Sequence, residues 1–155
     1  MLTNLEFKKE VFAAFILFLA TLIFSIINFS PVSIKPNFFL ASLVVASLLF
    51  ESFYVYFGFL FALLLWMKFT PNFLIEYFLF FTIGVVLFGL VKLFVFSKVR
   101  IVRFFLVFIF QLIFWFFMQA GASVFSIIFL LELMYNIVAV ELFYILVLWI
   151  KKISF

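Results

Sequence analysis

The stretch Ser97-Lys98-Val99-Arg100-Ile101-Val102-Arg103 decides how this chain is read. It is where cations cluster between two long apolar runs. Cytoplasmic loops of membrane proteins hold an excess of Lys and Arg close to the helix ends, so this short basic connector is assigned to the cytoplasmic side. Lys98, Arg100 and Arg103 are then the residues that set the topology, and the other connections are counted outward from them.

The chain around it supports a lipid setting. Of 155 residues, 72% are hydrophobic and only 10% charged, a balance that a soluble domain of this size could not expose to water. The expected fold is therefore an all-α integral membrane protein. The net charge of +4 comes from cations at the edges of apolar segments rather than on a polar face, so it reads as topology and not as a nucleic-acid surface. Cys and His are absent and all six acids are Glu, which excludes disulfides, thiolate metal sites and every chemistry built on His or Asp.

Upstream of the connector, residues 73–96 form one apolar run containing Gly84 and Gly89, whose spacing of five is not that of a GxxxG pair. Lys68 to Asn72 breaks it from the preceding segment. The segment 37–67 is too long for a single crossing, so it is divided at Glu51-Ser52 into helices over 37–50 and 53–67. Pro31, Lys35 and Pro36 mark the turn before it, and residues 11–29 make a first helix that is retained rather than cleaved. Downstream, helices are expected over 104–118 and 125–150, separated by a turn at Gln119 to Ser123. The reading is one domain over 1–155, a compact bundle of six transmembrane helices with both termini cytoplasmic. That side then holds Lys8, Lys9, Lys98, Arg100, Arg103, Lys151 and Lys152, with Lys92 able to snorkel there, against Lys35 and Lys68 opposite. A five-crossing chain would part Lys8 and Lys9 from the basic connector.

Polar side chains inside membrane helices are costly, so each is a candidate for function or for helix-to-helix bonding. They are Glu76, Lys92, Gln111, Glu132, Asn136 and Glu141. Glu132, Tyr135 and Asn136 fall within one face of the last helix, expected either to bond internally with Gln111, to meet a partner, or to carry an ion or proton. Glu141 is turned about 140° from Asn136 and needs a partner of its own. Glu76 and Lys92 lie near helix ends, where each can reach an interface.

No catalytic, cofactor-binding or metal-ligating set emerges. Membrane aspartyl proteases need paired Asp, rhomboid-type proteases and membrane phosphatases use His, and no Gly-rich phosphate loop is present. The expectation is a protein that is not an enzyme.

Three stretches carry a family resemblance. Pro31-Val32-Ser33-Ile34-Lys35-Pro36-Asn37 is similar to a proline followed by basic-Pro-Asp/Asn ahead of a second helix. Gly58 to Trp66 follows a glycine-led third helix, with Ala62 where a second glycine is usual and Trp66 where an acid is usual. Glu132-Leu133-Met134-Tyr135-Asn136, an apolar run and Lys151-Lys152 resemble a last helix with its basic tail, Val140-Glu141 standing where a proline often occurs. Together these resemble the rod shape-determining protein MreD family of the bacterial cytoplasmic membrane. The resemblance implies a non-enzymatic scaffold of the cell-elongation complex that binds the bitopic protein MreC. With MreB, the RodA glycosyltransferase and its transpeptidase, such a scaffold helps organise lateral peptidoglycan synthesis and cell shape.

Two other readings remain open. A substrate-binding subunit of an energy-coupling-factor vitamin transporter is also a compact six-helix protein, but needs a polar pocket near its outer face. A small Glu-dependent ion or proton transporter would depend on Glu132 and Glu141.

Overall fold

The computed structural model describes residues 3–26, 37–67, 74–93, 100–118 and 127–153. They form six helices in chain order: α1 (Asn4–Ile26), α2 (Phe38–Leu49), α3 (Phe53–Met67), α4 (Leu74–Leu93), α5 (Arg100–Met118) and α6 (Ile127–Ile153). The turns expected around Pro31 to Pro36, Lys68 to Asn72 and Gln119 to Ser123, and Lys98 with its neighbours, lie outside the described residues.

The organising element is α2. It touches each of the other five helices, and Leu40 through Leu48 are all buried. Its composition allows this: Ala41, Ser42, Ala46 and Ser47 let neighbouring backbones come close, and the two serines donate their hydroxyls to Phe39 O at 2.9 Å and Val44 O at 2.8 Å. Asn37 caps its start, Oδ1 accepting from Leu40 N at 3.0 Å.

The division at Glu51-Ser52 is found, and its cause is local. Phe50 leaves the helix in an extended conformation, and Ser52 opens α3, its Oγ facing Val55 N and its carbonyl accepting from Tyr56 N at 3.1 Å. Successive helices run in alternating directions: Glu10, Glu51, Lys92 and Lys151 converge at one end, and along α5 Arg103 meets Glu141 while Gln111 meets Asn136, antiparallel to α6.

Three boundaries differ from expectation. Helix α1 begins at Asn4, not near 11, because Thr3-Asn4-Leu5-Glu6 is a capping box: Glu6 Oε2 accepts from Thr3 N at 2.9 Å while Thr3 Oγ1 accepts from Glu6 N at 3.3 Å. Helix α5 begins at Arg100, so Arg103 belongs to a helix and not to a connector. Helix α6 continues past 150 to Ile153, carrying Lys151 and Lys152 in its last turn, where cations complement the helix dipole.

The core is one continuous apolar cluster drawn from all six helices. The outward faces are apolar too, with Phe15 and Ile23 of α1, Phe61 and Leu65 of α3, Phe78 of α4, Phe105 and Phe116 of α5 and Ile145 of α6 all exposed. Helices α1 and α6 are long and apolar enough to cross a membrane. Gly84 sits where α4 meets α3: Tyr56 donates its hydroxyl to Gly84 O at 2.8 Å, and an added Cβ would lie 2.8 Å from Leu60 Cδ1. Gly89 and Gly58 face open space.

Candidate functional site

Polar chemistry in this bundle is gathered at three levels. The first joins α2, α5 and α6. Asn136, fully buried, accepts from Asn37 N at 2.6 Å and donates Nδ2 to Gln111 Oε1. Gln111 Nε2 then donates to Glu132 Oε2 at 3.2 Å, and Trp115 Nε1 donates to the same oxygen at 2.5 Å. The result is a directed chain of donors that starts at a helix cap and ends on a carboxylate.

Of the expected residues, Gln111, Glu132 and Asn136 are therefore together. Tyr135 is not with them: it is 45% exposed. A shared helical face is broad, and 60° of rotation from Glu132 in the wrong sense is enough to leave the bundle. Two members, Asn37 and Trp115, were not among the expected ones. Trp115 lies four residues after Gln111, on the same side of α5, which was the available signal.

The second level pairs two residues that lie 38 positions apart on different helices. Arg103, only 6% exposed, donates Nε and Nη2 to Glu141 Oε1 and Oε2, both at 2.9 Å, and its guanidinium lies 4.0 Å from the centre of the Tyr144 ring. This planar, two-bond arrangement suits Arg and not Lys. Arg103 is thus a structural partner as well as a cation near one end of the bundle, and Glu141 has the partner it needed. Arg100 is helical, and Glu76 lies in α4.

The third level closes the α2–α3 turn. Glu10 of α1, 2% exposed, accepts from Glu51 N at 2.7 Å and Ser52 N at 2.9 Å, satisfying the amides that open α3. Lys151 reaches the same carboxylate at 3.2 Å and donates to Leu49 O at 2.6 Å, while Lys92 donates to Phe50 O at 3.0 Å. Cations thus meet the carbonyls that end α2, and a carboxylate meets the amides that begin α3, each at the dipole end of matching sign. Glu10 precedes the first helix expected from the sequence, over 11–29, and follows directly on Lys8 and Lys9. Yet Glu10, Ala13, Ala14, Leu17 and Thr21 are the buried residues of α1, a helical stripe visible in the sequence.

Among the described residues, no buried side-chain nitrogen or oxygen lacks a hydrogen-bond partner. A groove of about 300 Å³ with almost entirely apolar walls runs between α1 and α3, outside these clusters. Fold and site together define a helical bundle whose polar groups bond to one another across helices. No protein-family model matches this chain, and no curated protein or solved structure matches it.

Proposed function

We propose that this protein is a multi-pass scaffold of the bacterial cytoplasmic membrane, of the MreD type, which binds an MreC-like bitopic protein and helps organise lateral wall synthesis. The observation that carries the reading is the contrast between inside and outside. Among the described residues the buried polar side chains are bonded to one another or to backbone, whereas the faces left over are long apolar surfaces suited to lipid and to other helices.

The arrangement of charge supports six crossings with both termini cytoplasmic. Lys92 and Lys151 lie at the Glu51-Ser52 end with Lys8, Lys9 and Lys152, and an end rich in Lys is assigned to the cytoplasm in this reading. Tyr54 and Trp149, both exposed at this same end, sit where amphipathic rings favour the headgroup level. Glu132 lies nineteen residues before Lys151 on α6, about 28 Å along the axis, so it stands near the opposite edge of a hydrocarbon layer about 30 Å thick. Gln111 and Asn136 are in this reading helix-to-helix bonds that hold α2, α5 and α6 in register. The MreB filament, the glycosyltransferase and the transpeptidase are reached through the bitopic partner or through the outer helix faces.

Purification in mild detergent followed by mass spectrometry tests the reading. A bitopic coiled-coil protein and elongation-complex enzymes are expected to be recovered in defined ratio with the bundle. Recovery of energy-coupling-factor subunits or of a bound vitamin would replace it with the transporter reading.

A further inference from the structure

We infer that the groove between α1 and α3 seats the transmembrane helix of a single-pass protein whose cytoplasmic flank carries Lys or Arg, an inference that rests on the membrane orientation proposed above. The groove is concave because its floor is small: Ala14 on α1, Gly58 and Ala62 on α3, walled by Phe7, Phe15 and Tyr54. Tyr54 is 80% exposed, and a Cβ added at Gly58 would meet nothing within 4 Å. From Tyr54 to Ala62 the groove follows about 12 Å of helix, two turns or a little more. In lipid, helices associate by close packing where small residues let backbones approach, and the groove offers such a place next to a helix that is itself incompletely covered.

Charge selects the occupant. At its cytoplasmic mouth the groove continues past Phe7 and Tyr54 into a hollow lined by Asn4, Glu6 and Glu51, with both carboxylates on exposed residues. This end of the protein is otherwise basic, with Lys8, Lys9, Lys92, Lys151 and Lys152 around it. Single-pass helices carry their cations on the cytoplasmic flank, so a helix lying in the groove brings Lys or Arg to Glu6 and Glu51. A second copy of this chain joined through the same groove would instead set Glu6 and Glu51 near their own counterparts.

Length gives a second reason for an occupant. Helix α3 has 15 residues, about 22 Å, bounded in sequence by Glu51 and Lys68, and its outer face exposes Phe61 and Leu65. A lipid-facing helix about 8 Å shorter than the hydrocarbon layer is relieved by association with a neighbouring helix.

Photo-crosslinking residues placed at Phe15 and Tyr54, and as controls at exposed Phe105 and Ile145, test this in native membranes with the full chain. The expected result is an adduct from the groove positions alone, in which the captured peptide lies in the membrane span of a single-pass protein with a basic cytoplasmic flank. Gly58→Leu should lower its yield by about tenfold or more, the scale of a side chain forced into a packed contact. Its open surroundings and the better helix propensity of Leu mean that the thermal stability of the bundle should be kept or slightly raised, so that a lost adduct is not a misfolded bundle. Glu51→Lys should lower the yield about fivefold. Adducts of the chain with itself, with a multi-pass protein, equally at the control positions, or none, would overturn the inference. Elongation proteins captured only at Phe105 or Ile145 would refute the groove and keep the scaffold. A single-pass protein unrelated to wall synthesis, captured in the groove and lost in Gly58→Leu, would keep the groove and refute the scaffold.

Discussion

Glu10 and Lys151 stand 141 positions apart in the chain and meet at 3.2 Å over one turn, so that α1 and α6 jointly hold the point where α2 becomes α3. Glu10 is nearly inaccessible and Lys151 partly so, which places this pair between the cheap surface ion pair and the fully buried one.

Lys151→Met should therefore destabilise the detergent-solubilised bundle by about 2 kcal/mol, because it leaves a buried carboxylate with its two amide donors but without its cation. Glu10→Gln keeps one acceptor but turns its amide nitrogen toward the other backbone N–H, so it should also destabilise, and the two changes together should cost less than their sum. A thermal-unfolding double-mutant cycle reads the coupling, and strictly additive losses would show that the two side chains act independently.

The chain of bonds from Asn37 to Glu132 makes a graded prediction. Asn136→Leu and Gln111→Leu should each cost about 1–2 kcal/mol, the upper range for hydrogen bonds between membrane helices, and their combination should cost less than the sum. Tyr135→Leu, on the exposed flank, should change stability by less than about 0.5 kcal/mol. A Tyr135 effect as large as that of Asn136 would contradict the observed orientation.

The two glycines of α4 should respond in opposite directions. Gly89→Ala adds a methyl to open space and gains up to about 1 kcal/mol of helix propensity. Gly84→Ala drives a methyl against the buried Leu60 side chain and should lower the melting temperature, Leu60 having to change rotamer beside Tyr56. Equal shifts in both variants would mean that α3 and α4 are further apart than described.

Topology is accessible to single-cysteine labelling, since the chain contains no Cys. With an impermeant reagent outside intact cells or spheroplasts, Ser33→Cys and Thr70→Cys should label, and Glu51→Cys and Lys152→Cys should not. Glu51 is preferable to the neighbouring Ser52, which is too buried to report on side. Labelling at Glu51 would overturn the orientation with both termini in the cytoplasm.

The division of 37–67 into two helices could be read from the sequence because it follows from length against bilayer thickness, a constraint that acts on the chain as a whole. The start of α1 could have been read as well. Thr3 and Glu6 have the spacing of a capping box, but with Lys8, Lys9 and Glu10 following, the apolar run that marks a helix starts only at Val11. The pairing of Arg103 with Glu141 belongs to a different class. Each residue had a sufficient reason to be where it is, a basic flank for one and an isolated acid for the other, and nothing local ties positions 38 apart on different helices. The same holds for Asn37, whose backbone amide, not its side chain, is what Asn136 binds.

With the bundle placed in a membrane as proposed above, helix α2 also bears on how the chain would be built into a bilayer. At 12 residues, about 18 Å, it is far short of a stable solitary span, and moving sideways into lipid alone would draw both of its polar ends into hydrocarbon. In that setting α2 would enter as a hairpin with α3, with α1 already in place to receive the turn on Glu10. Assembly would then be ordered by the middle of the chain: the helix that every other one leans on is the one least able to enter a membrane by itself.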